Sequence, residues 1–401
     1  LSAELSGDSP EEIQDSWVIP KRRKSLISWK RDWPLMLLCA SILAGWIFYA
    51  MILPPIQIRQ KIATSRWKFD PKDPEISLWI WFIRRTVEYW FVFWFFYLGA
   101  SIGSFINVVA SRTPQKKTIV TRGSHCPFCD KALNMVDNSP VFGWVLLRGR
   151  CRACRLPISP RYLYMEILVG IVFVTLGSME LIGNGLNLPY REWRFGAGIV
   201  FTVFYPKWDL IGATAVHLSF FAVAVMLIGT QMERLRFPKL PLLIILGIYI
   251  ASSIANPCVS RIRWTEPWGQ RFLSYAPEYF QRAITAGLGV ATGFGFGLLT
   301  ARLLDRLYLA QSQQGWGGWA WHWTILHGLF GALFGWQAVL LSSIVGSLVS
   351  MSVCSFVASR KSDHIDLSDR LFSERVIALA IMTCTLFGHT CAWRWIVAIW
   401  L

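Results

Sequence analysis

Apolar residues gather along this chain into runs long enough for membrane helices, divided by short polar stretches. Crossing a hydrocarbon core of about 30 Å takes roughly 20 residues of helix. On that measure the pattern predicts spans over 34–53, 89–110, 162–182, 209–230, 240–255, 283–304, 323–336, 338–357 and 376–393. Gly335, Trp336 and Gln337 would make the whole turn between the seventh and eighth, which are short enough to be re-entrant. Residues 78–82 read as a piece lying along the interface. The expected fold class is all-α: a polytopic membrane protein with about nine transmembrane helices and one small cysteine-bearing module outside the lipid.

The polar stretches set the expected topology. Residues 112–161, 231–239, 306–314 and 360–375 fall on one side in this count, and the first two are basic, which predicts a cytoplasmic face. Residues 59–85 run against this orientation, since they carry Arg59, Lys61, Arg66, Lys68, Lys72, Arg84 and Arg85 yet would be external. Four regions result: a cytoplasmic segment 1–33, two spans with their loop over 34–111, a cytoplasmic module 112–161, and a helical membrane domain 162–401.

Composition agrees with lipid. Hydrophobic residues make up 54% and charged residues only 16% of 401, more apolar side chains than a soluble chain of this size usually buries. The net charge of +16 follows from topology, and nothing interleaves basic and aromatic residues as a single-strand groove would, so no nucleic acid is expected. Residues 1–17 carry Glu4, Asp8, Glu11, Glu12 and Asp15 and lack a basic start and apolar core, so no cleaved leader is expected. Lys21, Arg22, Arg23 and Lys24 before the first span favour a cytoplasmic N-terminus. Gly293, Gly295 and Gly297 suit helix packing rather than a dinucleotide loop, because no strand precedes them.

Cysteine usage is uneven. Cys39, Cys258, Cys354, Cys384 and Cys391 are scattered through apolar stretches as small hydrophobes. The other four form two CxxC pairs, Cys126 with Cys129 and, after 21 residues, Cys151 with Cys154. Each pair can bend into a knuckle that offers two thiolates, and the two together complete a tetrahedral, structural zinc site with no open position for catalysis. Basic neighbours such as Arg122, Lys131, Arg148, Arg150, Arg152 and Arg155 help keep the thiols ionised. Two disulfides in an external loop are the alternative, and His125 could replace one cysteine.

Around the cysteines run Gly99-Ala100-Ser101-Ile102-Gly103-Ser104-Phe105-Ile106-Asn107, the enclosed Asp137-Asn138-Ser139-Pro140 and Leu146-Leu147-Arg148-Gly149-Arg150, then Pro157-Ile158-Ser159-Pro160-Arg161-Tyr162 and Glu166. Together with both CxxC pairs, these blocks resemble the type IV prepilin peptidases. The resemblance continues more weakly through Phe334-Gly335-Trp336-Gln337 and Leu340-Leu341-Ser342-Ser343. It implies a multi-pass protein of the bacterial inner membrane that meets the lipid bilayer and the leaders of prepilins or pseudopilins at the cytoplasmic face. It also implies zinc, and S-adenosylmethionine as a candidate cofactor for N-methylation.

The same resemblance implies two catalytic aspartates, because an aspartic protease needs paired carboxylates that share a proton. Here the first position, counted back from Pro238, holds Gln231, and the second, aligned from Gly335, holds Trp323. A shifted register sets Gly315-Trp316-Gly317-Gly318 there instead, also without an aspartate. A neutral amide is no general base. Glu233 is the weak substitute nearby, and Glu233 with Asp305 would be the pair if cleavage survived. His322 and His327 read as hydrogen-bonding histidines at a helix end, Asp209 and Asp305 as helix-end residues, and Glu166 and Glu180 as acids in or near the membrane. The expectation is a protein that keeps the family's fold and metal module but has lost its peptidase chemistry. A divergent active enzyme and a membrane scaffold that binds a partner through the module are the alternatives.

Overall fold

The computed structural model describes residues 40–52, 78–119, 123–189, 206–259, 276–304, 318–359 and 367–400, without positions 42 and 127, together with residue 306. Within them run α1 (Leu78–Arg112), α2 (Phe142–Leu147), α3 (Arg161–Gly177), α4 (Trp208–Met232), α5 (Lys239–Ala255), α6 (Glu278–Leu304), α7 (Gly318–Ser359) and α8 (Leu367–Trp400). A π-helical turn, Ser178–Ile182, prolongs α3. Extended pairing among the described residues is limited to two isolated bridges in the cysteine module.

Six of these helices are long and apolar enough to cross a membrane. Three points separate that number from the sequence count of about nine. The segment 34–53 is described only over 40–52 without 42, Lys239–Ala255 is apolar but short, and the expected seventh and eighth spans belong to the one element α7. Inside α7, Gly335 sits at φ 81°, ψ 176°, a conformation that glycine alone tolerates well. The chain reverses there. Trp319, Phe330 and Phe334 meet Arg375, His389 and Trp393 in rising order along α8, whereas Gly346 and Ser350 meet Met382 and Ala378 in falling order. The turn expected at Gly335-Trp336-Gln337 is therefore present, between antiparallel limbs.

The residues 78–82 expected along the interface are instead the first turns of α1, a continuous helix of 35 residues. At 1.5 Å per residue it is about 50 Å long, so it exceeds a bilayer core. The charge there is partly offset, with Arg84 and Arg85 both on the buried carboxylate of Glu88 at 3.1 and 2.7 Å.

Glycines set the closest helix contacts. A Cβ on Gly99 would fall 2.7 Å from Phe173, and one on Gly103 would fall 2.9 Å from the Glu166 backbone, so α1 and α3 touch along the Gly99–Gly103 motif. On α6, Gly289, Gly293 and Gly297 lie against Gly331, His327 and Thr324 of α7, while Gly287 and Gly295 face open space. The packing face thus repeats every four residues; of the series read from the sequence as packing residues, Gly293 and Gly297 pack and Gly295 does not. Behind it Phe220, Phe221, Trp323, Phe330, Phe334 and Trp393 fill the fully buried core.

Contacts sort the helix ends into two sets. Arg161 pairs with Glu233, Lys239 lies 5.6 Å over the Trp321 ring, and the Trp319 indole donates to the Arg375 carbonyl. The module, the C-terminal end of α4 and the starts of α3, α5, α7 and the spanning part of α8 therefore share one end of the bundle. At the other end Asn256 donates to the Asp209 carbonyl and Arg282 to the Ile254 carbonyl. Asp209 is in the first turn of α4, as a helix-end residue. The expected segments 1–33 and 54–77, the connection holding Asp305 and residues 307–317, and residues 360–366 lie outside the described residues.

Candidate metal centre and candidate active site

The cysteine module is built from one backbone device used twice. Cys126 N–H donates to the Lys131 carbonyl and Asp130 N–H back to the Cys126 carbonyl; Cys151 N–H donates to Leu156 and Arg155 N–H back to Cys151, all at 2.9–3.1 Å. The fifth residue of each knuckle, Asp130 at φ 55° and Arg155 at φ 64°, takes the left-handed conformation that closes the loop. Isolated bridges His125–Ala132 and Arg150–Pro157 clamp the bases of the knuckles.

This folding brings the four thiols together. The Cys126 and Cys154 sulfurs are 3.8 Å apart, Cys129 and Cys151 4.0 Å, and all four lie within 4.8 Å of one another. A Zn–S bond of about 2.3 Å implies a tetrahedral S–S edge of about 3.8 Å, so the four residues fit a zinc ion. They do not fit the disulfide alternative, whose bond is about 2.05 Å, and all four are free cysteines. His125 turns outward, with Nδ1 3.0 Å from the Gly123 carbonyl oxygen and Nε2 3.6 Å from Asp130. Without metal the thiols share protons unevenly. N–H groups of Cys154 and Ala153 and the neighbouring thiols lower Cys151 to about 7.

Further links brace the module internally and seat it on α3. Asp137 grips Arg152 of the second knuckle through both carboxylate oxygens. Glu166, buried in α3, accepts the Val141 N–H at 2.7 Å, which gives this membrane acid a structural task in seating the module. Trp144 packs on Gly149, whose φ of +64° and contact with the indole leave no room for a side chain.

At the same end of the bundle the structure joins Gln231 to His322, not to Trp323. His322 Nδ1 is 3.2 Å from Gln231 Oε1, and Phe237 N–H donates to His322 Nε2 at 3.1 Å. A backbone N–H can only donate, so Nε2 is the acceptor, and Nδ1 carries the proton that goes to the amide oxygen. Both ring nitrogens are thus spent, and the imidazole is held neutral in one tautomer. Trp323 is turned away, its indole N–H donating to Thr300 at 2.9 Å. His322 and His327 are fully buried rather than placed at a watery helix end, because α4, α6 and α7 close around them. His327 sits against Trp323 and bonds to its carbonyl oxygen. Glu233, just past α4, is not directed at Gln231; its carboxylate pairs with Arg161 at 2.5 Å. Asp305, its suggested partner, lies outside the described residues.

Comparison with known proteins places these features in context. The family model described as Bacterial Peptidase A24 N-terminal domain matches residues 97–179, from α1 through the module into the π turn. A Klebsiella pneumoniae prepilin leader peptidase/N-methyltransferase is 30% identical over 193 residues, 39% of this chain and 83% of that protein. The protein of the same description from Myxococcus xanthus is 45% identical over 83 residues, 21% of this chain and 25% of its own length. An Escherichia coli type 4 prepilin-like proteins leader peptide-processing enzyme is 35% identical over 123 residues, 25% of this chain and 45% of its own length. No solved structure matches the chain.

Proposed function

The chain belongs to the bacterial prepilin leader peptidase/N-methyltransferase family, and from that membership we propose that it is a member without peptidase chemistry, which engages prepilin or pseudopilin-like leaders at the cytoplasmic face of the inner membrane. The observation that carries this reading is the Gln231–His322 pair. Aspartic proteolysis needs one carboxylate to activate water and a second to protonate the carbonyl oxygen. An amide does neither, and an imidazole whose two nitrogens are already bonded has no lone pair for water. Glu233 is occupied by Arg161.

In this reading Cys126, Cys129, Cys151 and Cys154 hold zinc as a closed structural ion, which keeps the module rigid and takes no part in chemistry. The module lies in the cytoplasm, with the basic stretches that flank it. S-adenosylmethionine stays a candidate cofactor through the family resemblance alone. A second reading, a scaffold that binds a partner through the module, draws support from Phe128, Met135, Val136 and Leu156, all exposed on it.

The test is prepilin processing in cells that lack their own peptidase. The unaltered chain is expected to leave the prepilin uncut, as is Gln231→Asp alone, since one carboxylate does not make a dyad. Processing by the unaltered chain, with loss of it in Glu233→Gln, would overturn the reading in favour of a divergent enzyme.

A further inference from the structure

The end of the bundle away from the cysteine module contains a polar cluster that the reading above leaves unused. Glu180 on the π turn and His217 on α4 are both fully buried, with His217 Nδ1 2.8 Å from Glu180 Oε1. The chain after the π turn doubles back through Asn184 and Gly185, both at positive φ, and brings Asn187 to the same carboxylate oxygen at 2.9 Å. Helix α8 closes the cluster: the Thr390 carbonyl accepts from Asn187, and Arg394 N–H donates to the Asn187 carbonyl. His217 is stacked on Phe334 beside Trp393, and His389 lies edge-on to Phe334.

Hydrogen bonds within the cluster leave a remainder. Glu180 Oε2, Asn187 Oδ1, His217 Nε2, His389 Nδ1 and Trp393 Nε1 are buried and without a hydrogen-bond partner. Each such atom in a dry interior costs about 1–3 kcal/mol, and native proteins answer clusters of them with bound water or an ion. The set contains an obligate donor, the Trp393 indole, and acceptors, Asn187 Oδ1 and, while the carboxylate is ionised, Glu180 Oε2. A bare cation satisfies only the acceptors. Water satisfies both kinds, and two to four polar partners are what a buried water requires. Single-turn π segments of this kind are frequent at functional sites, and ionisable side chains inside a membrane domain mark ion or proton sites by default.

We propose that these residues form a closed, hydrated proton-binding site, in which ordered water joins the Glu180–His217 pair to Asn187, His389 and Trp393 and the pair takes up one proton from the far side of the membrane. The ligands are water and the hydron, and the step is reversible protonation with no other bond made or broken. The titratable and charged groups around the pair are Lys207, bonded to Asn184, and Asp209 near the start of α4, with His389, Cys391 and Arg394 on α8. His217 and Gln231 are 14 residues apart on α4, roughly 21 Å, so this site is separate from the Gln231–His322 pair.

The experiment uses the full chain in lipid nanodiscs. Radiolytic labelling in oxygen-18 water marks side chains next to bound water; Trp393 and His389 are expected to take up label despite their burial, while Trp323, equally buried and already bonded to Thr300, stays unlabelled. Infrared difference spectra between about pH 9 and about pH 4, which covers carboxylate and imidazole titration, are expected to show a proton-uptake change that Glu180→Gln and His217→Gln each abolish. Absence of label on both Trp393 and His389 would overturn the proposal, and so would spectra without a change assignable to the pair. The labelling arm uses the unaltered chain, so a variant that fails to fold leaves the test intact.

Discussion

At the scale of single residues, the Gln231–His322 pair makes a sharp prediction about stability. Replacing His322 with alanine leaves the Phe237 N–H and the Gln231 carbonyl oxygen buried without partners, so thermal unfolding should register a loss of about 1–3 kcal/mol. Trp323→Phe should cost less, because it frees only the Thr300 hydroxyl, which bonds its own helix through the Phe296 carbonyl. The two outcomes together distinguish which side chain Gln231 depends on. The sequence located Gln231 by a short count from Pro238, over which the chain has little freedom. It set Trp323 at the second position but gave no sign that Gln231 would meet the neighbouring His322, since one residue turns a helical side chain by about 100°. For Glu180 the sequence offered only its acidity; its partners His217 and Asn187 arrive from another helix and from a reversed loop, and no local pattern encodes that.

At the scale of elements, the knuckles were the most legible part. A CxxC pair fixes its own turn within six residues, and both knuckles repeat the same hydrogen bonds. Zinc affinity should therefore fall steadily as pH drops, because Cys154, pushed up to about 11, already carries a proton that metal must displace, and below about 7 Cys151 adds a second. A pH series of zinc competition with a chromophoric chelator reads this directly, and Cys151→Ser should abolish binding. The glycines of α6 predict a contrast within one helix. Gly289→Leu forces a side chain into the Gly331 backbone and should destabilise by about 1–3 kcal/mol or more, whereas Gly295→Leu meets open space and should be nearly neutral. The sequence showed the small residues but not which of them face a neighbour, since that depends on where α7 lies.

At the scale of the whole molecule, the module and the Gln231–His322 pair occupy one end and the Glu180–His217 cluster the other, joined by α3 and α4. In the proposed orientation a cysteine placed at the almost fully exposed Met135 reacts with an impermeant maleimide in inverted membrane vesicles and stays unmodified in intact spheroplasts. The fold class was legible from run lengths alone, while the division of α7 rested on one glycine whose backbone geometry a sequence only hints at. That reversal also bears on how the chain is made. Between the two limbs there is no charged residue and no loop to carry across the bilayer, only Gly335, Trp336 and Gln337. Neither limb can halt in the membrane and wait for a distant partner, because the second begins before the first has cleared the translocon. The pair must enter the lipid together as a preformed hairpin, so a lengthened or charged turn would disturb biogenesis before it disturbed any site in the finished protein.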